Sequence, residues 1–200
     1  MASIIAIEKD GVVYMGTDAV KHRCDVKYYM TKESNLSIHK MNNGILIATL
    51  GLAALAQQMW LHDEWFTIEE NEKFDKKFIV TKILPKFYDA IKDHRAWKER
   101  NEVKEIDTGF IIAYKSDIYL VLGDLSVKKC KNIACMSNED EDMLFYAFAS
   151  TYMENNPDKC PEDVIKETYK FAVPRNRSVN SHGYIINTRD LEFKEMGINQ

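Results

Sequence analysis

The chain has 200 residues, 46% hydrophobic and 29% charged, and its 27 basic and 31 acidic residues leave a net charge of −4. That is enough apolar material for one substantial core, so one domain over residues 1–200 is expected, with no linker in it. The mild acidity argues against a nucleic-acid partner, and no apolar run is long enough to span a membrane as a helix.

The first strand is expected over Ala2-Ser3-Ile4-Ile5-Ala6-Ile7, followed by Lys9-Asp10-Gly11 and a second strand through Val12, Val13, Tyr14 and Met15 to Asp18. After a polar stretch, Leu36 to Met41 and Ile45 to Gly51 flank Asn42-Asn43-Gly44. Asp-Gly and Asn-Gly tolerate the positive φ of tight turns, so these runs read as two hairpins. Leu52, Leu55, Ala56, Met59 and Trp60 set a helical stripe that predicts a helix from Leu52 to Phe66. A second helix is expected from Lys76 to Trp97, kinked where Pro85 lacks an N–H. Residues Lys98 to Asp107 read as a charged connection. Gly109 to Tyr114 and Ile118 to Leu122 form a further hairpin around Lys115-Ser116-Asp117, and Ile133 to Met136 is a short strand ending at Ser137. Helices follow over Glu139 to Met153 and over Pro161 to Ala172, where Pro161 suits a first turn. Strands over Gly183 to Thr188 and Leu191 to Lys194 close the chain.

Cys24, Cys130, Cys135 and Cys160 lack C-x-x-C spacing and read as reduced thiols. With no secretory signal pattern, a cytoplasmic protein is expected; Met1 reads as the initiator, directly before Ala2, without a propeptide. His22-Arg23-Cys24-Asp25 lacks a partner cluster for a metal site, and His62-Asp63-Glu64 lacks the second His of a zinc helix. The first reads as a polar loop and the second as a solvated helix face. No metal and no cofactor is expected. Arg175, Arg177 and Arg189 read as ion-pairing residues, and Trp60, Trp65 and Trp97 as core or subunit-interface residues.

Ile4-Ile5-Ala6, Gly11, Asp18, Ile38-His39-Lys40-Met41 and Gly51 together resemble the β-type subunits of the proteasome and the bacterial HslV peptidase, which are N-terminal-nucleophile (Ntn) hydrolases. The resemblance is good over the first quarter of the chain and architectural beyond it. It implies an α+β fold, a four-layer αββα sandwich in which two sheets pack face to face under helices. It also implies a mechanism. The side-chain oxygen of the first mature residue attacks a carbonyl while its own α-amine, of pKa roughly 7.7–8.0, takes the proton. A Lys held by an Asp assists, and a backbone N–H stabilises the oxyanion.

Carried over residue by residue, the nucleophile position falls on Ala2, which has no hydroxyl, and the next on Ser3. The Lys position falls on Ser37, with His39 and Lys40 the nearest basic residues. Alternation puts Ser37 and His39 on one strand face and Lys40 on the other. Asp18 is retained, Gly51 can still offer its N–H, and the Ser-Gly-Gly of the family keeps only Ser137. The Asp-x-x-Ser near the last strands has no counterpart in Arg175 to Ser181. As structural residues, Asp18 would cap a turn, Gly51 would permit a strand-to-helix junction and Ser137 would cap a helix.

Two functions follow. One is a subunit with a degenerate site that works in assembly or binding, as a homo-oligomer and by resemblance a ring. The other is an active peptidase or amidohydrolase on peptide or protein substrates, using Ser3 after loss of Met1 and Ala2, or Cys24 or Ser37 near Asp18. A substituted Ala2 in place of a native Thr, Ser or Cys is a further alternative; the Ser at position 37 argues against it.

Overall fold

The Asp10-Gly11 dipeptide forms the turn its chemistry predicts. In a computed structural model, which describes residues 3–23, 26–29, 37–93, 97–100, 103–137, 141–175, 179 and 182–197, β1 (Ile4–Lys9) pairs antiparallel with β2 (Val12–Asp18). Lys9 lies opposite Val12, and the two loop residues both take positive φ, 53° and 78°, the type I′ pattern that matches strand twist. A short ribbon of β3 (Val20–Arg23) and β4 (Val26–Tyr29) follows, in the stretch read as merely polar. The hairpin of β5 (Ile38–Lys40) and β6 (Leu46–Gly51) uses a longer turn. Gly44 N–H donates to Met41 O (3.0 Å) and Met41 N–H to Ile45 O (2.9 Å). With Gly44 at φ 83°, this is a three-residue loop closed by a left-handed glycine.

The remaining strands are β7 (Trp97–Arg100), β8 (Val103–Ile106), β9 (Thr108–Tyr114), β10 (Asp117–Val121), β11 (Val127–Cys130), β12 (Ile133–Met136), β13 (His182–Asn187) and β14 (Lys194–Gly197). One five-stranded sheet runs β12-β1-β2-β13-β14 and another β11-β10-β9-β6-β5. Side-chain alternation divides their residues among three apolar layers. Ile4, Ala6, Val13 and Met15 meet Leu46, Ala48, Ile111 and Ala113 between the sheets. Ile5, Ile7 and Cys135 face outward onto α4 (Glu141–Asn155) and α5 (Pro161–Ala172), against Phe145, Ile165 and Tyr169. On the far side, Ile47, Phe110 and Ile112 meet Leu55 of α1 (Ala53–Trp60) and Phe87 of α3 (Leu84–Ile91). The result is the α+β, four-layer αββα sandwich that the resemblance implies. Among the described residues, no helix is long and apolar enough to cross a membrane.

Several elements differ from expectation, each for a local reason. The helix expected to reach Phe66 stops at Trp60, and Asp63–Phe66 is a separate 3-10 turn. Trp65 and Phe66 are both buried, so the chain must turn inward. The Asp63 carboxylate fastens that turn by accepting from the Asn42 backbone N–H (3.2 Å) and side-chain amide. The helix expected to reach Trp97 ends at Ile91. It comprises α2 (Lys76–Phe78), a wide π turn over Ile79–Ile83 and α3, with Pro85 in the first turn of α3. The kink is thus absorbed as a π turn just before the proline.

Trp97 begins β7, and the presumed charged connection is a hairpin with Lys98 opposite Glu105 and Glu99 opposite Lys104. Opposed charges of that kind stabilise a strand pair. The last strand starts at Lys194, not Leu191, because Asn187 Oδ1 accepts from the N–H groups of Arg189 and Asp190 (2.9 Å each). Leu191 leaves that turn at φ 56°. Lys9 Nζ joins the first hairpin to the α4–α5 connection, donating to Pro157 O (2.6 Å) and Lys159 O (2.8 Å).

Candidate active site

The register of the first sheet brings three of the singled-out residues to one end. Ile4 lies opposite both Thr17 and Met136, so Ser3, Asp18 and Ser137 are neighbours across β1, β2 and β12. The second sheet meets them there. Leu50 lies opposite Gly109, and a Cβ on Gly109 would come within 3.1 Å of Met136 Sδ. Gly51 therefore stands at the same end, as does Ser37, whose carbonyl accepts from Thr49 N–H (2.8 Å). Ala2 lies outside the described residues. A cleft of about 470 Å³ opens at this end, between Leu50, Gly109 and Met136 and the Lys98 and Glu105 side of the β7–β8 hairpin.

Gly51 is fixed by its backbone. It has φ 122°, and a Cβ there would lie 2.1 Å from Asp107 O. Only glycine fits a position that is both left-handed and this close to another chain segment. The strand-to-helix junction expected there is present, since α1 starts two residues later.

Asp18 reaches back to the first strand. It is buried, and its Oδ1 accepts the backbone N–H of Ser3 at 2.7 Å, across two strands. Ser137 is buried at the end of β12, and residues 138–140, between it and α4, lie outside the described residues. His39 and Lys40, the basic residues nearest Ser37 in the chain, have partners elsewhere. Ile38 points between the sheets, so alternation turns His39 to the helical layer, where it stacks on Trp60 at 5.6 Å. Burial pushes the His39 imidazole below its ordinary 6.5, with Asp63 opposing that shift. Lys40 is exposed and reaches Leu191 O (3.4 Å). His62, read as part of a solvated helix face, lies just before the 3-10 turn, stacked on Trp65 at 4.2 Å and paired with Glu64 at 2.6 Å. Arg175 stacks over Phe171 at 4.0 Å; Arg177 lies outside the described residues.

One residue at the site escaped sequence reasoning. Tyr169 of α5 is fully buried, and its hydroxyl donates to Ser3 O (2.5 Å), with Gly16 O also in reach (3.2 Å). Burial, then the nearby Asp18 carboxylate, holds the phenol well above its ordinary 10, so it remains a donor. Gly16 permits this approach, because a Cβ there would sit 2.5 Å from Ile165 Cγ2. In the sequence Tyr169 is one more apolar position in a helical stripe, and nothing marks its hydroxyl.

Ser3 is consequently held at both ends of its backbone, by Asp18 and by Tyr169, and is only 2% exposed. Cleavage before Ser3 would turn its nitrogen into an ammonium 2.7 Å from the Asp18 carboxylate. Such a neighbour raises an α-amine above its usual range of roughly 7.7–8.0, which opposes general-base work at neutral pH. Among the described residues, no group of three His, Cys, Asp or Glu could hold a metal. Part of the His22–Asp25 stretch lies outside them.

No protein-family model matches the chain, and no curated protein matches it. Solved structures do. BPH of Thiobacillus denitrificans, in complex with epoxomicin, is 14% identical with a TM-score of 0.72, over 95% of this chain and 99% of that one. HslV from Trypanosoma brucei is 14% identical with a TM-score of 0.65, covering 92% and 98%. Anbu, the ancestral β-subunit, from Yersinia bercovieri is 8% identical with a TM-score of 0.65, covering 98% and 86%. The chain therefore has the proteasome/HslV-like Ntn-hydrolase fold. At these identities the likeness is one of fold and carries no chemistry with it.

Proposed function

We propose that this chain is a proteasome/HslV-like subunit, one domain over residues 1–200, whose active site is degenerate and which acts through assembly or binding rather than peptide cleavage. The reading rests on one observation. Asp18, which in the resembling enzymes would hold the catalytic Lys, accepts the buried backbone N–H of Ser3 at 2.7 Å, while Ser37 stands in the Lys position with no ammonium to offer. Ala2 supplies no hydroxyl, and Ser3 is too buried to meet a substrate. What persists is the backbone framework, including the glycine-only junction at Gly51. The protein acts as a homo-oligomer in the cytoplasm and uses no cofactor.

Epoxomicin, the ligand named in the Thiobacillus denitrificans BPH complex, provides the test. The full-length protein is incubated with it and weighed intact by mass spectrometry. The expected result is an unmodified chain and no hydrolysis of peptide reporters above background. A stoichiometric adduct at the chain start, or turnover by a sample beginning at Ala2, overturns the reading.

A further inference from the structure

The β7–β8 hairpin has a hollow on each face. Lys98 and Glu105 wall the cleft at the Ser3 end, whereas Trp97 and Lys104, on the alternate face, line a separate cavity of about 320 Å³. That cavity, of a size that takes a small molecule, lies beyond the C-terminal end of α3. Tyr88, Lys92 and Asp93 form one wall, and Asp124 and Leu125 of the β10–β11 turn another. Its parts are fixed before any ligand arrives. Trp97 Nε1–H donates to Ile91 O (3.0 Å), which orients the indole, and the Tyr88 ring meets it at 5.6 Å and 62°. Ile106 N–H donates to Gly123 O (2.9 Å), tying the β10–β11 turn to the hairpin.

The lining charges are of both signs. Asp124 Oδ1 accepts from Ser126 N–H (2.9 Å), and hydrogen bonds from Ser126 hold this carboxyl below the usual carboxylate range. Lys92 is drawn to Asp89 (3.4 Å). Asp93 and Lys104 form no ion pair among the described residues, although Lys104 stands opposite Glu99 in the register. Aromatic faces, carboxylates and the negative end of a helix together attract a cation. A bare cation would also meet the Lys104 ammonium, and a bare anion would meet Asp93 and Asp124. A ligand that carries both charges a few bonds apart suits both sets of groups.

We propose that this cavity binds a small zwitterion, its quaternary ammonium against Tyr88 and Trp97 near Asp93 and Asp124, and its carboxylate or phosphate on Lys104. The cavity is separate from the Ser3 end, and its ligand does not depend on whether the chain cleaves peptides. The full-length protein is titrated by calorimetry with two zwitterions, glycine betaine and phosphocholine. Choline, which lacks the anion, and tert-butylacetate, which replaces the charged nitrogen by carbon, serve as controls. At least one zwitterion should bind, and each control should bind roughly 10-fold more weakly, as loss of one charged contact predicts. Tyr88→Leu keeps the apolar bulk but removes the π face, and should weaken the zwitterion by roughly 3- to 10-fold. Lys104→Gln should weaken the zwitterion and spare choline, whereas Asp124→Asn should weaken both. Circular dichroism checks that these variants stay folded. Sedimentation with phosphatidylcholine vesicles separates the sources: co-sedimentation assigns the zwitterion to a lipid headgroup, and its absence to a free solute. No binding by either zwitterion, equal binding by a control, or full affinity in folded Tyr88→Leu overturns the site.

Discussion

Ser3 and the Gly51 junction lie at the same end of the sandwich, yet they are fixed in opposite ways. Gly51 persists because the backbone demands it: φ 122° and a carbonyl 2.1 Å from any Cβ leave no other residue. Around Ser3 the hold comes from side chains, with Asp18 and Tyr169 fastening its backbone at the start of the first strand. A position set by backbone geometry tolerates no exchange, whereas one held by side chains can lose a partner at a modest cost and keep its fold.

Gly51→Ala gives the sharpest break between the two. It meets both a left-handed backbone and a main-chain clash, so unfolding free energy should drop by at least about 3 kcal/mol, read by denaturant titration. Next come Asp18→Ala and Tyr169→Phe. Each leaves a buried backbone group of Ser3 without its partner and should cost about 1–3 kcal/mol. Because both hold one residue, the double variant should lose less than the sum by about 0.5 kcal/mol or more. Strict additivity would mean that they do not act together on Ser3.

A smaller effect separates the β5 strand from the chain start. The folded state holds His39 below 6.5 by burial, so in acid the unfolded chain takes up a proton that the folded one resists. This contribution is intact above pH 6.5 and is lost as pH falls through that value toward the folded-state pKa. Thermal melts of wild type should therefore drop more between pH 7.5 and 5.5 than those of His39→Gln. The smallest effect belongs to the β7–β8 hairpin beside the cleft, where Lys98→Glu sets like charges opposite Glu105 and should cost about 0.2–1 kcal/mol.

Legibility in the sequence followed the same division. Asp10-Gly11, Gly44 and Gly51 announce their turns by residue type, and the helix from Pro161 to Ala172 matches its stripe to the residue. The helix ends at Trp60 and Ile91 were hidden, since Trp65, Phe66 and Trp97 continue a plausible apolar pattern and only tertiary burial diverts them. The β7–β8 hairpin was hidden because its strands are mostly charged and gain stability from the facing strand. At the site, the positions of Asp18, Gly51 and Ser137 were readable, but their contacts were not. Tyr169 lies 166 residues from the backbone it holds, a pairing that no local spacing encodes.

Strand order carries a consequence for synthesis. β1 is an interior strand, flanked by β2 and by β12, with Ile4 opposite Met136. On the ribosome its second neighbour arrives only after more than half the chain has been made, on the order of ten seconds later at about 5–20 residues per second. Until then one edge of an Ile-rich strand is unpaired, and a nascent polypeptide in that condition is a natural client for a chaperone.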